Sequence, residues 1–180
     1  MRTFVAVEIT NQDVINKIEK LQSQIRINAK PVDVKNIHFT LQFLGDITEF
    51  NMEKIQKALK SIEFESFMLE FRGIGAFPKP KFPRVVWIGT DERGEEKLRK
   101  LSKQVESVLS PLGFKKDKPF KPHVTIFRIK KKIGDISKDL ENFGNMSYGS
   151  QKIVQIKFKK SILTPNGPVY SDLMEVNAIK

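Results

Sequence analysis

Two stretches of this chain follow one design. Residues 36–45 carry His38-Phe39-Thr40-Leu41-Gln42-Phe43-Leu44, and residues 122–128 carry His123-Val124-Thr125-Ile126-Phe127. Each run opens on one of the only two histidines in the chain and alternates polar with bulky apolar side chains. Alternation of period two marks a strand buried on one face only. It puts His38, Thr40 and Gln42 on one face, with Phe39, Leu41 and Phe43 on the other. It likewise separates His123 and Thr125 from Val124 and Ile126. Each strand must therefore rest on a hydrophobic core while offering an imidazole and a hydroxyl to its open side.

The surroundings of these strands repeat as well. Residues 2–9 alternate as a strand, and residues 11–26 form an amphipathic helix with Val14, Ile18, Leu21 and Ile25 on one face. After the first histidine strand, Thr48 is placed to cap a second helix, whose apolar face is Met52, Ile55, Leu59 and Ile62. Strands are expected at 66–74 and 84–90, joined by a loop from Phe77 to Pro83. A third helix spans 94–110, ended by Pro111 and Gly113. The second histidine strand follows, then a short helix near 136–143 and two strands at about 150–163 and 168–177. The same order of elements thus runs twice, with no linker between the copies. We expect an α+β fold over residues 1–180 as a single domain of two similar lobes facing each other across a groove.

The chain has 180 residues, enough for one core. No apolar run approaches membrane-spanning length, and the charged, strand-like opening reads as structure rather than as a signal peptide. Cysteine is absent, which removes disulfides and thiolate metal sites and points to the cytoplasm. The net charge is +11, from 32 Lys and Arg against 21 Asp and Glu. The excess gathers at Lys79, Lys81 and Arg84; at Lys115, Lys116, Lys118 and Lys121; at Arg128, Lys130, Lys131 and Lys132; and at Lys157, Lys159 and Lys160. A solvated lysine-rich surface is one reading. A polyanion site is the other, and two of the clusters bracket His123.

Two imidazoles and two hydroxyls facing one ligand suit a phosphodiester. A neutral imidazole takes a proton from water, an imidazolium protonates the leaving oxygen, and the threonine hydroxyls donate to the non-bridging oxygens. Zinc sites usually need three or four ligands, and no carboxylate stands at a ligand spacing from either histidine. A Ser-His-Asp triad leaves one histidine unused. No glycine-rich phosphate loop occurs. A single His-x-Thr is most often structural, but two arising by chance is roughly a one-in-several-hundred event at average threonine usage.

With these residues in view, the chain resembles the two-histidine phosphoesterases, defined by paired His-x-Thr-x motifs. Its likeness is to the bacterial and archaeal RNA 2′,3′-cyclic phosphodiesterases, also called 2′-5′ RNA ligases. Similar stretches run nearly end to end: Arg2–Glu8, Asn36–Gly45, Arg84–Gly89, Pro122–Arg128 and Ser161–Tyr170. The resemblance implies a bilobal, pseudo-two-fold fold of two antiparallel sheets with outer helices flanking a central groove. It implies metal-independent hydrolysis of an RNA-terminal 2′,3′-cyclic phosphate to a 2′-phosphate, without a cofactor, and a possible reverse 2′-5′ ligation. Carried over by motif, His38 is the proton donor and His123 the proton acceptor. Thr40 and Thr125 bind phosphate, as does Arg128, although Arg128 stands in odd register to His123.

Phe77, Phe82 and Tyr170 are candidates to stack on a base, with Trp87 and Phe120 as further ones that also read as core or groove wall. The expected partner is RNA ending in a 2′,3′-cyclic phosphate, met by a monomer. Two other readings stay open. One is a phosphodiesterase for small cyclic nucleotides or an ADP-ribose cyclic phosphate; the other is an RNA-binding module without turnover.

Overall fold

The computed structural model describes residues 1–179. In chain order the elements are β1 (Arg2–Glu8), α1 (Gln12–Gln24), β2 (Lys30–Pro31), β3 (His38–Asp46), α2 (Glu49–Leu59), β4 (Phe67–Phe77), β5 (Val85–Thr90), α3 (Glu92–Leu109), β6 (Val124–Arg128), α4 (Ser137–Glu141), β7 (Ser147–Ile153), β8 (Gln155–Thr164) and β9 (Gly167–Asn177). Local chemistry starts the helices where it should. The Asn11 side chain accepts from the Val14 amide, and Thr48 accepts from the Asn51 amide at 3.2 Å. Gly113, at φ 91°, closes the short turn after α3, a left-handed conformation that glycine adopts without steric cost.

The strands form a mixed helix-and-strand fold around one curled antiparallel sheet, in the order β7-β4-β5-β6-β3-β1-β8-β9, with β2 alongside β6. This corrects the expectation of two sheets. The ladder is continuous, yet its centre is narrow. β3 meets β6 through the single register pair Phe39↔Val124, while β2 occupies the far end of β6 through Lys30↔Arg128 and Pro31↔Phe127. The expected strand at 150–163 also divides. β7 pairs with β4 and β8 with β1, so a change of direction at Val154 sends consecutive segments to opposite halves of the sheet. The one local sign is the adjacent apolar pair Ile153-Val154, which interrupts the alternation; no glycine or proline stands between Gln151 and Phe158.

The helices cover one face of the sheet. Val14, Ile18 and Leu21 of α1, Ile55 and Leu59 of α2, and Leu98, Leu101, Val105 and Leu109 of α3 meet Val5, Phe39, Leu41, Phe71, Ile88, Val124 and Ile126 in one hydrophobic cluster. Among the described residues, no helix is long and apolar enough to cross a membrane. The junction of β1 and α1 is fastened to β7 by the buried Gln151. Its Oε1 accepts from the Thr10 and Asn11 amides at 2.8 and 3.0 Å, and its Nε2 donates to the Glu8 carbonyl.

The face opposite the helices carries a large indole. Trp87 alternates with the buried Ile88 and lies over Gly75 and Gly89; a Cβ on Gly75 would stand 2.3 Å from Trp87 Cζ2. Glycine is required there by space rather than by backbone conformation. Gly75→Ala is expected to destabilise the fold by about 1–3 kcal/mol, the usual cost of overpacking. A denaturant melt measures it, with tryptophan fluorescence reporting the displaced ring.

Candidate active site

The pair Phe39↔Val124 decides the site. Cross-strand partners point to the same side of a sheet, and both of these side chains are fully buried beneath the helices. Their neighbours must point the other way. His38, Thr40, His123 and Thr125 are all half-buried on the open face. Carried one residue either way, the antiparallel register sets His38 across from Thr125 and Thr40 across from His123. The two motifs thus meet as adjacent central strands, each imidazole beside the other strand's hydroxyl.

Both rings are held in the same manner. His38 Nδ1 lies 2.8 Å from the Asn36 carbonyl, and His123 Nδ1 lies 2.6 Å from the Lys121 carbonyl. A carbonyl only accepts, so each Nδ1 carries a proton and donates it. This leaves Nε2 of the neutral ring as the reactive nitrogen. For His38 it lies 3.0 Å from Thr40 Oγ1. The His38 ring also stacks on Phe4 at 5.0 Å and meets the edge of Tyr170 at 5.4 Å, while His123 meets Phe77 edge-on at 4.9 Å.

Burial pushes the His38 imidazole down to about 4. The hydrogen bond to Asn36 and the Glu8 carboxylate resist this, while Lys159 and Arg128 add to it. Burial lowers His123 as well, opposed by its bond to Lys121 and reinforced by Arg128. At neutral pH both rings of the free protein are therefore neutral.

Two β-bulges correct the simple alternation. Along the β6–β5 ladder, Val86↔Phe127 is followed by Trp87↔Thr125, so one residue is skipped. The extra residue reverses parity, bringing Arg128 back toward the face of Thr125. Its charge is felt at His38, His123 and Tyr170 alike. The odd register noted in the sequence is resolved by this bulge.

Along β1–β3, Ala6↔Thr40 is followed by Val5↔Gln42. Gln42 turns inward, 3% exposed, and donates to the Phe114 carbonyl. Phe43 turns outward, 72% exposed, with its ring 6.2 Å from that of Phe4. Both positions reverse the alternation expected for this strand. Phe43 thereby joins the face of His38, three residues past Thr40, just as Arg128 lies three past Thr125. Its place was hidden because a bulge leaves no mark in an apolar run.

The remaining expected residues fall into groups. Phe77 and Tyr170 touch the histidines, whereas Phe82 is half exposed in the loop after β4, beneath Lys79. Trp87 packs on Phe77 at 5.2 Å, with its indole nitrogen buried and unpartnered. Phe120 packs partly against the core. The basic clusters divide too. Lys121 lies over Phe77, 5.7 Å from the ring centre, but Lys116 packs inward toward Ser102 and Glu106. Lys157 and Lys159 are bound by Glu8 and Asp172, so they add little net positive potential. Among the described residues, no three of His, Asp and Glu converge to hold a metal ion.

Comparisons with known proteins match nearly the whole chain. Residues 2–175 match the family described as the AKAP7 2'5' RNA ligase-like domain. An Archaeoglobus fulgidus protein named RNA 2',3'-cyclic phosphodiesterase is 38% identical over 175 residues, covering 96% of this chain and 98% of the relative. A protein of the same name from Aeropyrum pernix is 39% identical, covering 92% and 97%. The crystal structure of a Thermus thermophilus protein superposes with a TM-score of 0.81 at 27% identity, over 98% of this chain and 97% of that one. Escherichia coli LigT, solved with 3'-AMP, shares the fold with a TM-score of 0.80 at 21% identity, over 99% and 98%. With paired His-x-Thr strands side by side and these relatives matched from end to end, the chain belongs to the 2′-5′ RNA ligase family of two-histidine phosphoesterases.

Proposed function

We propose that this protein hydrolyses the 2′,3′-cyclic phosphate at RNA 3′ ends to a 2′-phosphomonoester, without a metal ion. The observation that carries the reading is the register at Phe39↔Val124, which sets two Nδ1-tethered imidazoles and two threonine hydroxyls on one open face. The names of the relatives supply the substrate class.

In this mechanism His123 Nε2 removes a proton from water as the water oxygen bonds to phosphorus. The bond from phosphorus to O3′ breaks, and His38 Nε2 delivers its proton to that departing oxygen. Thr40 and Thr125 donate to the non-bridging oxygens, where charge grows, and Arg128 lends its cation. Exchange with solvent resets both rings. Replacing water by a 5′-hydroxyl gives the ligation, with the acid and base roles exchanged between a step and its reversal. Phe43 offers aromatic surface to the terminal base, beside Phe77 at His123.

The acid must carry a proton that burial disfavours in the free protein. A bound phosphodiester supplies the compensation, because an anion beside an imidazole favours the imidazolium. The sign is fixed: binding raises both histidines.

We also propose that the chain is one domain of two duplicated lobes. The sheet order supports this. Outward from the central β3 and β6 come β1 and β5, then β8 and β4, then β9 and β7, and the segments β1-α1-β3 and β5-α3-β6 share one layout.

An RNA oligomer ending in a 2′,3′-cyclic phosphate, incubated in EDTA, is expected to yield a 2′-phosphate end. No product, or a requirement for added metal, would sink the reading. His38→Ala and His123→Ala are each expected to lower kcat by about 10²–10⁴ with the thermal melt retained; activity near wild type in either removes that histidine from the reaction. The pH dependence should be bell-shaped, with the kcat profile displaced to higher pH than that of kcat/KM. The two histidine Cε1 proton signals test the same point by NMR. His38 should titrate near 4 in the free protein and move upward when phosphate is added.

A further inference from the structure

Beside His38 the open face carries a cleft of about 450 Å³. Its lining includes Lys35 and Asn36 from the segment before β3, Thr164 and Asn166 from the β8–β9 turn, and Tyr170. His38 itself borders it, but Thr40, His123 and Thr125 do not. The cleft therefore adjoins one histidine only, beyond the space the two motifs share.

Its chemistry is that of a nucleoside site rather than of another phosphate site. The cations at its wall are already matched: Lys159 by Glu8 and Asp172, and Lys35 by Asp33 at 3.5 Å. What remains is an aromatic ring with hydroxyl and amide groups, the set that stacks on a base and reads its edge. The wall is also tied in place. Asn36 Nδ2 donates to the Pro168 carbonyl at 3.2 Å, and Thr164 Oγ1 donates to the Gly167 carbonyl at 2.6 Å. A tied wall reduces the ordering cost of binding.

The direction of the strand follows from the chemistry. O3′, the oxygen that His38 protonates, belongs to the terminal ribose, and that ribose continues through its 5′ side into the body of the RNA. Water enters at His123, so the strand leaves past His38. We propose that the cleft binds the nucleoside immediately upstream of the cyclic phosphate end, stacked against Tyr170, and thereby selects RNA strands over mononucleotides. This inference rests on the phosphodiesterase reading with His38 as acid.

The test compares a dinucleotide ending in a 2′,3′-cyclic phosphate with the corresponding mononucleoside cyclic phosphate. Wild type is expected to favour the dinucleotide in kcat/KM by about tenfold or more, the scale of one stacked base. Asn166 and Val169 both line the cleft; Asn166→Ala and Val169→Trp, which alter or fill it, should erase that preference while leaving the mononucleoside rate within about twofold. Equal losses on both substrates, or a preference retained in both variants, overturns the proposal.

Binding separates the cleft from the chemistry. By calorimetric titration the dinucleotide with a 2′-phosphate end should bind wild type at least about tenfold more tightly than the mononucleotide 2′-phosphate. Equal affinity overturns the proposal. If wild type turns over neither cyclic substrate, the phosphodiesterase reading fails, and this binding ratio alone decides the cleft.

Discussion

The contact on which this molecule depends is one cross-strand pair, Phe39 against Val124, where the two halves of the sheet meet. Both side chains are wholly buried, so slipping either strand by one residue would expose a large apolar group and bury a histidine. The hydrophobic core thereby sets the register, and the register sets the site. His38, Thr40, His123 and Thr125 need no dedicated scaffold, since they occupy the reverse side of the packing that holds the sheet together.

Around that contact, each histidine solves the same orientation problem with local backbone. A carbonyl two residues upstream, from Asn36 or Lys121, takes the Nδ1 proton and leaves Nε2 facing the open side. Burial then makes both rings reluctant to charge, and Arg128 increases the reluctance at each. In the proposed mechanism an anionic ligand would reverse this balance, coupling the protonation of His38 to the arrival of the phosphate. Nearby, Lys157 and Lys159 are neutralised by Glu8 and Asp172. The positive character of the chain is therefore not uniform over the open face; it is spent beside His38 and left available in Arg128 and Lys121.

Much of this was legible before any coordinates. Strand parity placed the histidine and threonine of each motif together, and the order of elements was read correctly through α4 except for the two-residue β2 at Lys30–Pro31, too short to leave a periodic signal. The cap expected at Thr48 lies where its helix begins, whereas Asn11, read as part of the first helix, caps it instead. Other features were not legible. The sheet is one ladder rather than two, because pairing between β3 and β6 is a contact between distant segments. Val154 divides one expected strand because the two edges it serves lie at opposite ends of the sheet. Phe43 faces out and Gln42 faces in because β1 and β3 pair with an extra residue, and extra residues are a property of two strands together.

The sequence by itself determined which residues share a strand face, where the helices begin and which family the chain resembles, since each of these follows from local periodicity, capping chemistry or motif. Only the tertiary structure decided that the two motifs are neighbours, that Arg128 and Phe43 turn to the open face, and that the late lysines are paired. The physical reason is the same in every case. Register, bulges and ion pairs are settled between segments far apart in the chain, where burial of Phe39 and Val124 leaves the sheet a single way to close.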